Sequence, residues 1–88
     1  MSKSLFSEAN EKLVEALIAA RHSSGLRQID VAKKLNKDQS YISNIERGQR
    51  RVDVLEFYVL ARALDTDPAI LFEDAKSTSL RHLISEDV

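Results

Sequence analysis

The sequence predicts an all-α domain of five helices with a short C-terminal extension. Three observations carry this. One proline and two glycines in 88 residues leave little punctuation for a many-turned β protein. The chain is rich in Ala, Leu, Glu, Lys, Arg and Gln, which favour helix. Its apolar residues recur at three- and four-residue spacing, with capping residues between the runs.

The first helix is expected to start near Ser7, with Glu8 and Glu11 in its first turn. Leu13, Val14, Leu17 and Ile18 form one apolar face. Gly25 offers a left-handed terminus, and Leu26 can fold back onto the last turn. A second helix runs from about Gln28 to Leu35, turned inward by Ile29 or Val31, Ala32 and Leu35. Asn36 tolerates positive φ. Asp38 is placed to cap a third helix from Gln39 to about Arg47, stopped by Gly48. Asp53 and Glu56 form a capping box for a fourth helix reaching about Leu64, which buries some of Leu55, Val59, Leu60 and Leu64. Asp67 and Pro68, cap then proline at the first helical position, open the fifth. Its apolar residues are Ile70, Leu71 and Phe72. The domain is drawn at 1–74. In the tail, 75–88, Leu80, Leu83 and Ile84 suggest a last short helix.

Composition excludes several function classes. There is no cysteine, so disulfides, thiolate metal sites and cysteine nucleophiles are unavailable. That suits a reducing cytoplasm, the expected location. No run approaches the ~20 apolar residues of a membrane span. His22 and His82 stand far apart without a ligand cluster, so neither a metal nor another cofactor is expected. The serines lack the Gly-x-Ser-x-Gly context of a nucleophile elbow, and no enzymatic activity is expected.

The net charge of −1 hides an asymmetry. Residues 27–51 carry Arg27, Lys33, Lys34, Lys37, Arg47, Arg50 and Arg51 against Asp30, Asp38 and Glu46. Residues 52–88 carry Arg62, Lys76 and Arg81 against eight acids. A basic segment can make a local electrostatic footprint on a near-neutral chain. In the third helix Ile42 and Ile45 belong to the core side. The other side holds Gln39, Ser40, Ser43, Asn44 and Arg47. Short amides and hydroxyls are unlike the Glu/Lys mix of an ordinary solvated helix. Amides can pair with adenine edges, and hydroxyls with several bases or with phosphate.

Two short helices joined by a tight turn, 28–48, complete the pattern. The run from Leu26 to Leu35, followed by Gln39-Ser-Tyr-Ile-Ser-Asn-Ile-Glu-Arg-Gly48, resembles the phage repressor and Cro-like (XRE-type) helix-turn-helix family. The likeness covers about residues 10–73. The string Tyr-Ile-Ser-x-Ile-Glu-x-Gly after a Gln-x-x-x-Ala helix is specific to that family. The family includes restriction–modification controller proteins, phage repressors and antitoxins. The resemblance implies a lambda-repressor-like fold and a transcriptional regulator that binds double-stranded DNA at a pseudo-palindromic operator as a homodimer.

Residue roles follow from the same resemblance. Gln39, Ser40, Ser43 and Asn44 would face bases in the major groove. Gln28, Lys37, Tyr41, Arg47, Arg50 and Arg51 would contact the DNA backbone. Arg21 and Glu46 would form a partly buried salt bridge. Ile70, Leu71, Phe72, Leu80, Leu83 and Ile84 are the candidates for a dimer face, or else they close the monomer core. Three positions depart from the family. Asn36 stands where Gly is usual, Lys37 where an apolar residue is common, and Arg27 where Ser or Thr usually caps the second helix. The alternative function is an antitoxin or other interaction module whose tail binds a partner protein.

Overall fold

The computed structural model describes residues 5–76, with side chains from 8 to 75. It contains α1 (Leu5–Ser23), α2 (Gln28–Lys34), α3 (Gln39–Glu46), α4 (Val54–Ala63) and α5 (Pro68–Lys76), with no strand among the described residues. The expected helix suggested by Leu80, Leu83 and Ile84 lies outside them.

The hydrophobic pattern accounts for the packing. Leu17 of α1, Val31 and Ala32 of α2, Ile42 and Ile45 of α3, Leu60, Ala61 and Leu64 from the α4 region, and Leu71 of α5 form one core. Removing these side chains from water is the main force holding five short helices together. α1 lies against α5 and α2 against α3, while α3 also touches α1. Ala32 is buried, and its small side chain lets α3 approach α2 closely. Ala75 is buried too, so α5 carries the core past residue 74. No buried side-chain nitrogen or oxygen among the described residues lacks a hydrogen-bond partner.

The first four helices end in the same way. After each, one residue adopts positive φ: Gly25 (72°), Asn36 (57°), Gly48 (74°) and Asp65 (56°). The next residue's N–H bonds back five residues, from Leu26 to Arg21, Lys37 to Ala32, Gln49 to Asn44 and Thr66 to Ala61. This is the Schellman arrangement, and it satisfies carbonyls that a helix end leaves orphaned. Asp65 was not foreseen as a left-handed terminus, although Asp shares with Asn a short polar side chain that tolerates this region.

Several boundaries and burials differ from the sequence expectation. α1 begins at Leu5, so Ser7 lies inside the helix; serine's middling propensity permits this. α2 and α3 stop at Lys34 and Glu46, because Leu35 and Arg47 are taken up as C-caps. Asp38 holds the N-cap position of α3, but its side chain makes no capping bond. At α2 the cap works in one direction. Asp30 Oδ2 accepts from the Arg27 N–H at 2.8 Å, while an arginine side chain has no acceptor to return the bond. The Arg27 guanidinium instead clasps the Asp30 carboxylate at 2.9 and 3.0 Å. Of the alternatives Ile29 and Val31, Val31 is the buried one. Leu55 and Val59 do not enter the core and are exposed. Phe57 packs there instead and meets Phe72 edge-to-face at 6.1 Å.

The capping box at α4 and the N-cap at α5 form as their sequences require. Asp53 Oδ1 accepts from Glu56 N at 2.7 Å, and Glu56 Oε1 accepts from Asp53 N at 3.0 Å. Asp67 Oδ1 accepts from Ala69 N at 2.8 Å ahead of Pro68. Behind the opposite end of α4, Lys34 donates to Ala63 O at 3.0 Å, and the Ser24 hydroxyl lies 2.7 Å from Leu64 O.

Candidate nucleic-acid interface

α3 has two unlike sides. Ile42 and Ile45 point into the core and anchor it. Gln39 and Ser40 are exposed, and Ser43 and Asn44 are half-buried. Arg47 follows as the exposed C-cap, and Arg50 and Arg51 lie exposed in the loop before α4. Lys37 is exposed in the turn before α3. Gln28 opens α2, beside the start of α3.

Three polar networks hold this face. The first is built on Arg21 and Glu46. The guanidinium meets the carboxylate through two bonds, Nε to Oε2 at 2.7 Å and Nη2 to Oε1 at 3.0 Å. The two side chains are only 13% and 10% exposed. Arg21 also donates to Leu26 O at 2.9 Å, so one side chain of α1 fixes both the loop before α2 and the end of α3. Gln28 Nε2 donates to Glu46 Oε1 at 2.9 Å. Gln39 Nε2 reaches Gln28 Oε1 over a long 3.3 Å. The first residue of α3 is thereby connected to the salt bridge through Gln28. The Arg21–Glu46 pair is the one the family resemblance implies; the Gln28–Glu46 bond lies outside that expectation, and nothing in the spacing of residues 28 and 46 signals it.

The second network surrounds Tyr41, which is half-buried. Lys37 Nζ lies 5.2 Å and the Arg50 guanidinium 4.9 Å from its ring centroid, within cation–π range. Its hydroxyl donates to Glu56 Oε2 at 3.3 Å, and Arg50 Nη2 donates to the same oxygen. Burial pushes the Tyr41 phenol up from its ordinary pKa. The Asp53 N–H, followed by Arg50, holds the Glu56 carboxyl below the usual range. The sequence showed Glu56 only as a capping residue. Its meeting with Arg50 depends on the course of the loop between them.

The third is a local clasp, in which Arg47 Nη2 donates to Asn44 Oδ1 at 2.6 Å. It engages the Asn44 carbonyl oxygen and does not use the two donors of the amide nitrogen. Of the suggested dimer residues, Ile70 and Phe72 are exposed, while Leu71 is 2% exposed and spent on the core. Val54 and Leu55, at 81% and 75% exposure, and Tyr58 and Val59 add an apolar surface on α4 that the helical pattern had assigned partly to the interior. The described residues contain no group of three or more His, Asp or Glu side chains able to hold a metal. None of their helices is long and apolar enough to cross a membrane.

A short helix pinned across α2, with an amide-bearing outer side and cations at its flanks, defines a DNA-binding helix-turn-helix transcription regulator of the XRE type. The chain belongs to the Helix-turn-helix family, which matches residues 17–71. Among solved structures it is similar to an XRE-family like protein from Pseudomonas syringae pv. tomato str. DC3000, with 32% identity, 82% of this chain and 88% of that one covered, and a TM-score of 0.76. It is similar to the restriction-modification controller protein C.AhdI from Aeromonas hydrophila, at 36% identity over 75% of this chain and 96% of that one, TM-score 0.68. A third similar protein is the restriction-modification controller C.Esp1396I, solved as a tetramer in complex with its natural 35 base-pair operator. It is 28% identical over 82% of this chain and 95% of that one, with a TM-score of 0.73. No curated protein matches the chain.

Proposed function

We propose that the protein is a sequence-specific regulator that binds double-stranded DNA as a homodimer and represses a nearby promoter, its own included. The observation that carries this reading is the division of α3. Its isoleucines are consumed by the core, and its amides and hydroxyls stand at the surface among cations. In this reading α3 enters the major groove with Gln39, Ser40, Ser43 and Asn44 toward base edges. Gln28, Lys37, Tyr41, Arg47, Arg50 and Arg51 meet the phosphates, which fix register while base contacts choose sequence. C.Esp1396I, the similar controller protein solved on its operator, supports the binding of double-stranded DNA. The site of action is the prokaryotic cytoplasm, where the DNA is.

Dimerisation follows from energetics as well as from the resemblance. One short helix makes few base contacts, and paired half-sites about one helical turn apart multiply them. The exposed Val54, Leu55, Tyr58, Val59, Ile70 and Phe72 give a second copy an apolar surface to cover.

The test is a mobility-shift assay against genomic fragments with salt titration. A preferred fragment is expected, and binding no better than bulk competitor would end the proposal. Asn44→Ala should cost roughly 1–3 kcal/mol on the preferred site and relax its selectivity. Arg51→Ala should weaken all sequences alike and lower the salt slope by about one.

A further inference from the structure

Two hydrogen-bond donors from different segments converge on one carboxylate oxygen beside α3. Tyr41, on α3, brings its hydroxyl to 3.3 Å from Glu56 Oε2, and Arg50, in the following loop, donates Nη2 to the same atom. Lys37 and Arg50 both lie against the Tyr41 ring, so this corner is locally cationic around the bound carboxylate. Tyr41, Arg50 and Lys37 are among the side chains assigned above to backbone phosphates.

Capping does not account for this arrangement. The box at α4 uses Glu56 Oε1 and the Asp53 side chain alone. Glutamine serves at that position as well as glutamate. The second oxygen is therefore surplus to the cap, while the charge is shared between the cap and what that oxygen meets. It is spent on Arg50 and Tyr41, the donor pair that a phosphate oxygen would use, since carboxylate and phosphate make the same demand on a guanidinium and a hydroxyl. The corner is open to an incoming anion, with the Arg50 side chain 44% and the Glu56 side chain 24% exposed.

The geometry points to Glu56 as an internal stand-in for a DNA phosphate: it occupies the anion position offered by Arg50 and Tyr41 in the free protein and weakens backbone binding by competing for it. This inference rests on the proposed DNA-binding reading and names a residue that tunes it. A cation already neutralised within the protein releases less of the counterion atmosphere when it meets DNA. A phosphate arriving at this corner also approaches a like charge, a repulsion that salt only partly screens. Glu56 thus trades affinity for any sequence against the share of binding that depends on base contacts.

The experiment compares the full chain with its Glu56→Gln variant on a random-sequence duplex two helical turns long, across a salt series. Glutamine keeps the hydrogen bond of the cap though not its charge, and a thermal midpoint within a few degrees of the unaltered protein verifies that the fold holds. The variant should bind roughly three- to ten-fold more tightly at moderate salt. Its log–log salt slope should steepen by up to about one per protomer. In an Arg50→Ala background the same replacement should gain clearly less, since only the repulsion and the hold on Tyr41 remain to be relieved. Equal or weaker binding by Glu56→Gln with an unchanged slope would reduce Glu56 to a helix cap and overturn the inference while leaving the functional proposal standing. Failure of the unaltered protein to bind any duplex at low salt would remove both.

Discussion

Arg21 and Glu46 show how one pair of side chains sets the aim of α3. The ions are mostly withdrawn from water, and their mutual bonds with those from Gln28 and Leu26 offset the desolvation. Such a pair adds orientation more than stability, but removing one member strands the other. Arg21→Met should cost about 3 kcal/mol in urea unfolding, and adding Glu46→Leu should recover much of it. The exposed Arg27–Asp30 pair behaves differently. The Arg27 guanidinium, then the Arg27 N–H, lowers the Asp30 pKa from its ordinary 3.8 to about 2. The folded state therefore holds this carboxylate deprotonated more firmly than the unfolded chain does. The pair contributes fully above pH 3.8, and its contribution is lost as pH falls toward about 2. A carboxyl NMR titration should find Asp30 near the lower value, and Asp30→Asn should abolish that part of the acid dependence.

Helix termini carry the same logic one level up. Four successive helices stop through a left-handed residue, two at glycine and two at residues with a Cβ. Asn and Asp pay a steric cost there that glycine does not. Asp65→Gly should stabilise the protein by roughly 0.5–1 kcal/mol, visible as a rise of a few degrees in Tm. Gly25→Ala should cost about 1 kcal/mol. A Cβ at Gly25 would meet nothing within 4 Å, so that cost is one of backbone conformation alone. Gly25, Asn36, Gly48, the Asp53–Glu56 box and the Asp67-Pro68 start were all legible, because caps are local and their chemistry lies within a few residues. Asp65 escaped because aspartate signals many turn and cap positions, and only the return bond from Thr66 to Ala61 selects this one. Asp38 misled in the opposite sense: its position is right, but its side chain does not turn back to the helix.

At the scale of the whole molecule, α4 and α5 each face two ways. Leu60, Leu64 and Leu71 close the core, while Leu55, Tyr58, Ile70 and Phe72 stay outside it. The two sets should separate under mutation. Leu71→Ala should cost about 2–5 kcal/mol in folding stability, as large-to-small changes in a packed interior do. Leu55→Glu should leave the fold nearly untouched. In sedimentation it should shift the proposed dimer toward monomer, and it should weaken binding to the proposed operator through lost pairing of half-sites. A dimer unaffected by that charge would move the interface away from the exposed side of α4.

Sequence alone determined the helices, their order, the two inward isoleucines of α3 and the polar residues left over. These follow from periodicity and capping, which act over a turn or two of chain. The resemblance carried by residues 26–48 supplied the class. Tertiary structure decided the rest: that Leu55 and Val59 face outward although their spacing fits a buried stripe, that Gln28 bonds Glu46, and that Glu56 meets Arg50 and Tyr41 as well as capping α4. Each of these depends on where distant segments or a non-repeating loop come to lie. Periodicity says which residues share a side of a helix, but only packing says which side is covered.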